Sequence, residues 1–239
     1  MRWSFRIIPW MLLPALAWAD GAADLRNSLQ RLDGHAPMKA SVTCSVREEH
    51  TTLLKPVVQE RSQQFQVAED DSGLHVDWSS PRETLKGPDA AALESLLNQA
   101  AALSNLLAGA QFKTEGREPY QGNQVRVLTF ACQPSIPSQH QGLVSQAEAS
   151  LKIWIGGDGE PLAAEYATDY TGRHSRLYGR IHSATLVRTT YKVLNQRLIA
   201  ASLTSEDFTY DYGDKIRHKE ILTLAEADGR PSSPFPSRP

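Results

Sequence analysis

Residues 89–108 read DAAALESLLNQAAALSNLLA, a run rich in Ala and Leu that contains no Gly or Pro. Its only charged residues are Asp89 and Glu94. Asp89 is a candidate N-cap and Gly109 a candidate stop, so the run predicts one helix over 89–108. Leu93, Leu96, Leu97, Ala100, Leu103 and Leu107 form a wide apolar face, which Leu106 widens further. A helix this apolar must be covered over most of its surface. It lies in a concave sheet or presents apolar surface to a partner.

What surrounds it alternates with period two. Met38, Ala40, Val42, Cys44 and Val46 share one side of a strand, with Lys39, Ser41, Thr43, Ser45 and Arg47 on the other. Residues 57–68 form a second strand with a polar middle. After the turn at 70–73, Leu74, Val76 and Trp78 alternate with His75 and Asp77. Beyond the helix, Leu128, Phe130 and Cys132 share a face. Leu151, Ile153 and Ile155 lead into the turn Gly156-Gly157-Asp158-Gly159, and residues 162–170 return as a hairpin. Residues 180–194 and 196–212 hold two or three more strands. Near the start, Leu25, Leu29 and Leu32 mark one stripe of a short helix over 23–33. No strand–helix–strand alternation appears, which excludes a doubly wound parallel sheet. The expected fold is α+β and mainly β. It is a strongly curved antiparallel sheet, a half-barrel, with an N-terminal helix and a central apolar helix on its concave face.

The chain begins MRWSFRIIPWMLLPALAWA: Arg2 and Arg6, an apolar run from Ile7 to Leu16, then Ala17-Trp18-Ala19. That is the layout of a secretory signal peptide cleaved after Ala19. The apolar run is too short to span a bilayer comfortably. No cysteine follows it, which argues against a lipid-anchored product, and no second run of spanning length appears. The expected organisation is a leader over 1–19, one domain over 20–227 and a disordered Pro-rich tail over 228–239 (DGRPSSPFPSRP). The expected location is periplasmic. The whole chain carries 25 basic and 27 acidic residues. Losing Arg2 and Arg6 leaves 23 against 27, a charge of −4, which gives no reason to expect nucleic acid as a partner.

Cys44 and Cys132 are the only cysteines. In an exported chain an even count invites a disulfide. Both lie on faces that can point inward, and the closed loop would span 88 residues (132 minus 44), worth about 4–5 kcal/mol by loop entropy. The alternative is two buried free thiols. Neither lies in a CxxC, so a redox catalyst is not indicated. The seven histidines form no HxxxH or HExxH, no GxSxG is present, and GGDG at 156–159 opens no helix. No catalytic residue, metal or cofactor is indicated. The acidic pairs Glu48-Glu49, Glu69-Asp70-Asp71 and Glu206-Asp207 read as strand ends or turns, and the late aromatics as sheet packing.

The segment LKIWIGGDGEPLAAEYATDYTGR joins a hydrophobic strand, a Gly/Asp turn, the Pro161-Leu162 step and a second strand ending at Gly172. It resembles the paired strands of the LolA-like lipoprotein-carrier superfamily. The strand–helix order of most of the chain after the leader is similar too. The resemblance implies an unclosed antiparallel half-barrel whose interior takes acyl chains. Independently, an apolar helix over a curved sheet can open an apolar cavity. The residues on the apolar phase of the strands, and hence candidate ligand contacts, are Val42, Val46, Val76, Trp78, Leu128, Phe130, Ile153 and Ile155, with Leu96 and Leu103 from the helix. The expected partner is a lipid-like ligand or a lipoprotein. The alternative is an envelope protein bound through a sheet edge or the apolar helix, with no small ligand.

Overall fold

The computed structural model describes residues 20–51, 56–70, 72–78, 90–175, 179–211 and 213–228. The leader, Asp89, most of the Pro-rich tail, Tyr178 and Tyr212 lie outside them. Helix α1 spans Asp20–Arg31. Strands β1 (Lys39–Thr51), β2 (Pro56–Asp70) and β3 (Gly73–Trp78) follow. Helices α2 (Ala90–Leu97) and α3 (Gln99–Ala108) come next. Then run β4 (Gln111–Tyr120), β5 (Asn123–Cys132), β6 (Val144–Ile155) and β7 (Pro161–Ser175), followed by β8 (Gly179–Leu194), β9 (Arg197–Asp211) and β10 (Asp214–Asp228). They form one open antiparallel sheet of ten strands, ordered β3-β2-β1-β10-β9-β8-β7-β6-β5-β4. The expected curved α+β sheet is what forms. Strands β4 and β10 were not anticipated.

The single helix expected over 89–108 is broken at Asn98, which leaves helical geometry at φ −133° and ψ 61°. The cause is that the apolar residues serve two separate cores. Leu93, Leu96 and Leu97 of α2 pack with Val42, Phe65 and Ile199. Ala100, Leu103 and Leu107 of α3 pack with Leu25 and Leu29 of α1 and with Leu128, Leu151 and Ile153 of the sheet. A straight helix directs one stripe along one line. The break lets each half face its own cluster.

Helix α1 is tied down at its start and along its flank. Arg126 of β5 donates to Asp24 at 2.9 Å. Gly159, in the β6–β7 turn at φ +84°, lies against the Asp24 carbonyl so closely that a Cβ would sit 2.8 Å from it. Gly alone meets both demands at that position. The GGDG segment is thus a hairpin turn, closed by Gly156 N–H to the Glu160 carbonyl and Gly159 N–H to the Gly156 carbonyl.

The sheet divides at one end. β9 pairs with β10 only as far as Ser202 and Thr223, whereas β10 stays with β1 as far as Asp228 and Lys39. Arg197 lies at the split, 4% exposed. Its guanidinium donates to both oxygens of Glu69 on β2 (2.5 and 2.9 Å) and to the Ala36 carbonyl. Asp33 bridges to Arg197, and Leu198 N–H donates to the Leu32 carbonyl. The segment after α1 is thereby laced to the start of β9.

The expected Cys44–Cys132 disulfide is not formed; both thiols are free. Cys44 is on β1 in the second cluster, and Cys132 ends β5 against the first. Six strand-to-strand steps separate β1 from β5, about 29 Å along the sheet at ~4.8 Å per step. A disulfide needs Cα atoms within ~7 Å. Alternation placed each residue correctly on an inward face, but it carries no information on strand order. Burial pushes the Cys44 thiol up to about 12, reinforced by the carboxylate of Glu220, to which the thiol donates at 3.5 Å. Burial also raises Cys132.

Two outcomes follow. Ellman's reagent at pH 8 should count both thiols in denaturant without reductant, with Cys44 silent in the native state; a count of zero in denaturant would restore the disulfide. Glu69→Gln should cost about 3–5 kcal/mol in urea unfolding, because a buried guanidinium is left unpaired, and Arg197→Met with Glu69→Leu should recover most of it.

Candidate functional site

The two faces of the sheet differ sharply. On the helix side, Val42 and Leu96 are packed in the second cluster, with Val46 and Val76 half-buried against it. Leu103, Leu128, Phe130, Ile153 and Ile155 are packed in the first. Trp78 ends β3 opposite Phe65, and its side chain lies outside the described residues. The other nine candidate contacts are thus split between two close-packed cores, not gathered around one space. A recess of about 230 Å³ lies there between α2, α3 and the sheet, walled by Leu106, Leu151, Tyr166, Val187 and Leu203. Of the nine candidates whose side chains are described, Leu103 alone lines it. Ligand pockets run to ~300–1,000 Å³, so this recess falls short.

The larger hollow, about 880 Å³, is on the face away from the helices and crosses β1, β10, β9, β8, β7 and β6. A twisted sheet is saddle-shaped, so each face is hollow along its own diagonal. Register sets the lining in rows. In one row Ala167, Leu186, Glu206, Lys219 and Arg47 are successive neighbours. In the next they are Glu148, Asp169, Ala184, Phe208, Arg217 and Glu49. The centre of the floor is therefore apolar: Ala167, Ala184, Leu186 and Phe208. The two alanines keep it open, and charges of both signs form the rim.

Several rim charges are paired. Lys219 donates to Glu206 at 2.8 Å, and Arg47 lies 2.9 Å from Glu60. The hydrogen bond from Lys219 holds the Glu206 carboxyl below its usual value, helped by the charges of Lys219 and Arg188 and opposed by desolvation. Arg217 is different. It lies 5.9 Å over the ring of Phe208, which also meets the edge of His182 at 5.4 Å, and it makes no ion pair among the described residues. A second hollow of about 620 Å³ continues from Phe208 toward the β7–β8 hairpin, lined by Thr171, Arg173, Arg180, His182, Tyr210 and Lys215.

At the far end of the helix side, loop 133–143 folds onto the sheet. Leu143 crosses Gly172 so closely that a Cβ there would lie 2.3 Å from its carbonyl oxygen. Buried His140 hydrogen-bonds Tyr170 at 2.9 Å, and His140 and His174 both face Asp211, at 3.6 and 2.6 Å. These histidines hold the loop. Among the described residues no three His, Cys, Asp or Glu side chains are grouped to hold a metal ion. Glu48-Glu49 and Glu206-Asp207 are a further correction: they lie inside β1 and β9, not at strand ends. Glu206 and Glu49 belong to the groove. The signal that would have found it was the apolar residue on the polar phase: Ala167, Ala184 and Leu186 all point away from the core.

No family model matches the chain, and no curated protein matches it. Among solved structures, a DUF1329 family protein from Desulfovibrio piger ATCC 29098 is similar over 87% of this chain and 92% of that chain. The identity is 13% and the TM-score 0.36. That is a weak likeness at the level of fold, from which nothing follows about a ligand or an activity.

The floor of the groove should tolerate substitution as a surface does. Leu186→Asp should lower Tm by no more than about 4 °C, of the order expected for ~1 kcal/mol in a chain of this size. Leu151→Asp, which buries a charge in the first cluster, should abolish folding. Equal damage from both would mean that the outer face is packed, not open.

Proposed function

We propose that this protein is an exported binding protein for a lipid or lipid-modified ligand, which lies in the groove on the outer face of the sheet. The observation that carries the reading is the groove itself. Its volume of about 880 Å³ falls within the range of ligand sites, its floor is apolar, and its rim holds polar groups that can orient a bound molecule. Export is supported by the layout of residues 1–19: two early arginines, an apolar run and the small-x-small step Ala17-Trp18-Ala19. A periplasmic location and a single domain over 20–227 belong to the same proposal. So does kinship with LolA-like lipoprotein carriers, which rests on the hairpin of residues 151–172. In that superfamily the acyl chains enter the half-barrel interior. Here side chains of the two clusters fill the helix side of the sheet, which favours the outer groove.

A second reading has one observation in its favour. β3 pairs only with Phe65–Asp70, so among the described residues Pro56–Gln63 of β2 have no strand on their outer side, and Val57 and Val58 are exposed there. That edge is suited to adding a strand from a partner protein.

Titration with an environment-sensitive fluorescent fatty acid tests the first reading. Saturable binding should be weakened at least tenfold by Leu186→Asp and left unchanged by Leu106→Glu at the helix-side recess. Loss on Leu106→Glu instead would place the ligand under the helices. A flat titration, with native mass spectrometry showing no co-purified lipid, would leave the strand-edge reading.

A further inference from the structure

We infer that the ligand of the outer groove is a single-chain amphiphile with an anionic head, a carboxylate or a phosphate ester, and that the head lies at the β7–β8 end; the inference rests on the groove reading above. The two hollows meet at Phe208 and differ in charge. The first has an apolar floor and a rim of mixed sign. The second is lined by Arg173, Arg180 and Lys215 and by no carboxylate. Of the acids around it, Asp169 is engaged by His182 at 3.0 Å, and Asp211 is committed to His174 on the other face.

The placement of the two arginines is costly. Arg173 on β7 and Arg180 on β8 are direct cross-strand partners on the same face. Like charges in that arrangement repel. Both are exposed, and neither makes an ion pair or side-chain hydrogen bond among the described residues, so nothing described in the protein offsets the repulsion. An anion between them would. Arg217, lying over Phe208 at the junction, adds a fourth cation just where an apolar chain would reach its head. Guanidinium forks match carboxylate and phosphate oxygens in pairs. The groove is thus graded along its length, from an apolar floor for a chain to a basic end for an anion.

The test uses twelve-carbon chains below their micelle concentrations, measured calorimetrically on the full mature protein. Dodecanoate and dodecyl phosphate should bind at least ten times more tightly than dodecanol at low salt, and that advantage should shrink as salt rises. Arg180→Gln with Lys215→Gln should cut anion binding at least fivefold, leave dodecanol binding unchanged and leave Tm unchanged or slightly raised, since the repulsion between Arg173 and Arg180 is relieved. Leu186→Asp should weaken both classes. Equal binding of neutral and anionic chains, an advantage that survives in Arg180→Gln/Lys215→Gln, or tightest binding of dodecyltrimethylammonium would each overturn the head assignment while the groove reading stands. If no chain binds, the groove reading falls and the assignment with it.

Discussion

The guanidinium of Arg197 meets both carboxylate oxygens of Glu69 where β9 leaves β10 and the sheet divides. Burying two charges is expensive and is repaid only when the geometry is good and the remaining donors are met. Here most of them are, through Ala36 on the segment that leaves α1, although Nε is buried without a partner. The pair joins β2, β9 and the α1–β1 connection at one point. Around it the two cores separate, with Leu198 in one and Ile199 and Ala200 in the other. The break of the helical segment at Asn98 is a consequence of that separation, since α2 and α3 must each serve a different cluster.

The distribution of apolar residues follows from the same division. The three short helices among the described residues can cover only part of one face of a ten-stranded sheet. The inward residues of the long strands are Leu and Ile where helices lie over them and become Thr, Ser, Asp and His beyond. Thr185 and Asp207, which hydrogen-bond at 2.6 Å, belong to that uncovered stretch. On the other face no element among the described residues covers the sheet. There a few small and apolar side chains among charges make a hollow instead of a core.

The sequence was legible where a single face of a single element decided the outcome. The stripe Leu25, Leu29, Leu32, the alternation around Val42 and the hairpin through residues 156–159 all formed as expected. It was less legible where the outcome depended on neighbours. β10 is central in the sheet, yet its inward positions Ile216, His218 and Glu220 alternate poorly, because no helix among the described residues covers them. β4 was hidden by its charges and by the turn at Gln121 and Gly122, both at positive φ, where Asn-Gly would have announced a tight hairpin. The inward phase of Cys44 and Cys132 was readable, but strand order was not. For the site, the alternating apolar phase pointed to the core, as it does in any sheet. The groove is built from exceptions on the opposite phase, and those acquire meaning only once register sets Ala167, Leu186, Ala184 and Phe208 side by side.

The central claim is that a ligand lies on the face of the sheet away from the helices. Methyl-resolved NMR with dodecyl phosphate tests it directly, through intermolecular contacts between the alkyl chain and assigned methyl groups. The account predicts contacts at Ala167, Ala184 and Leu186, with Leu103, Leu151 and Val187 silent. Contacts at Leu103, Leu151 and Val187, with the outer methyls silent, would contradict it.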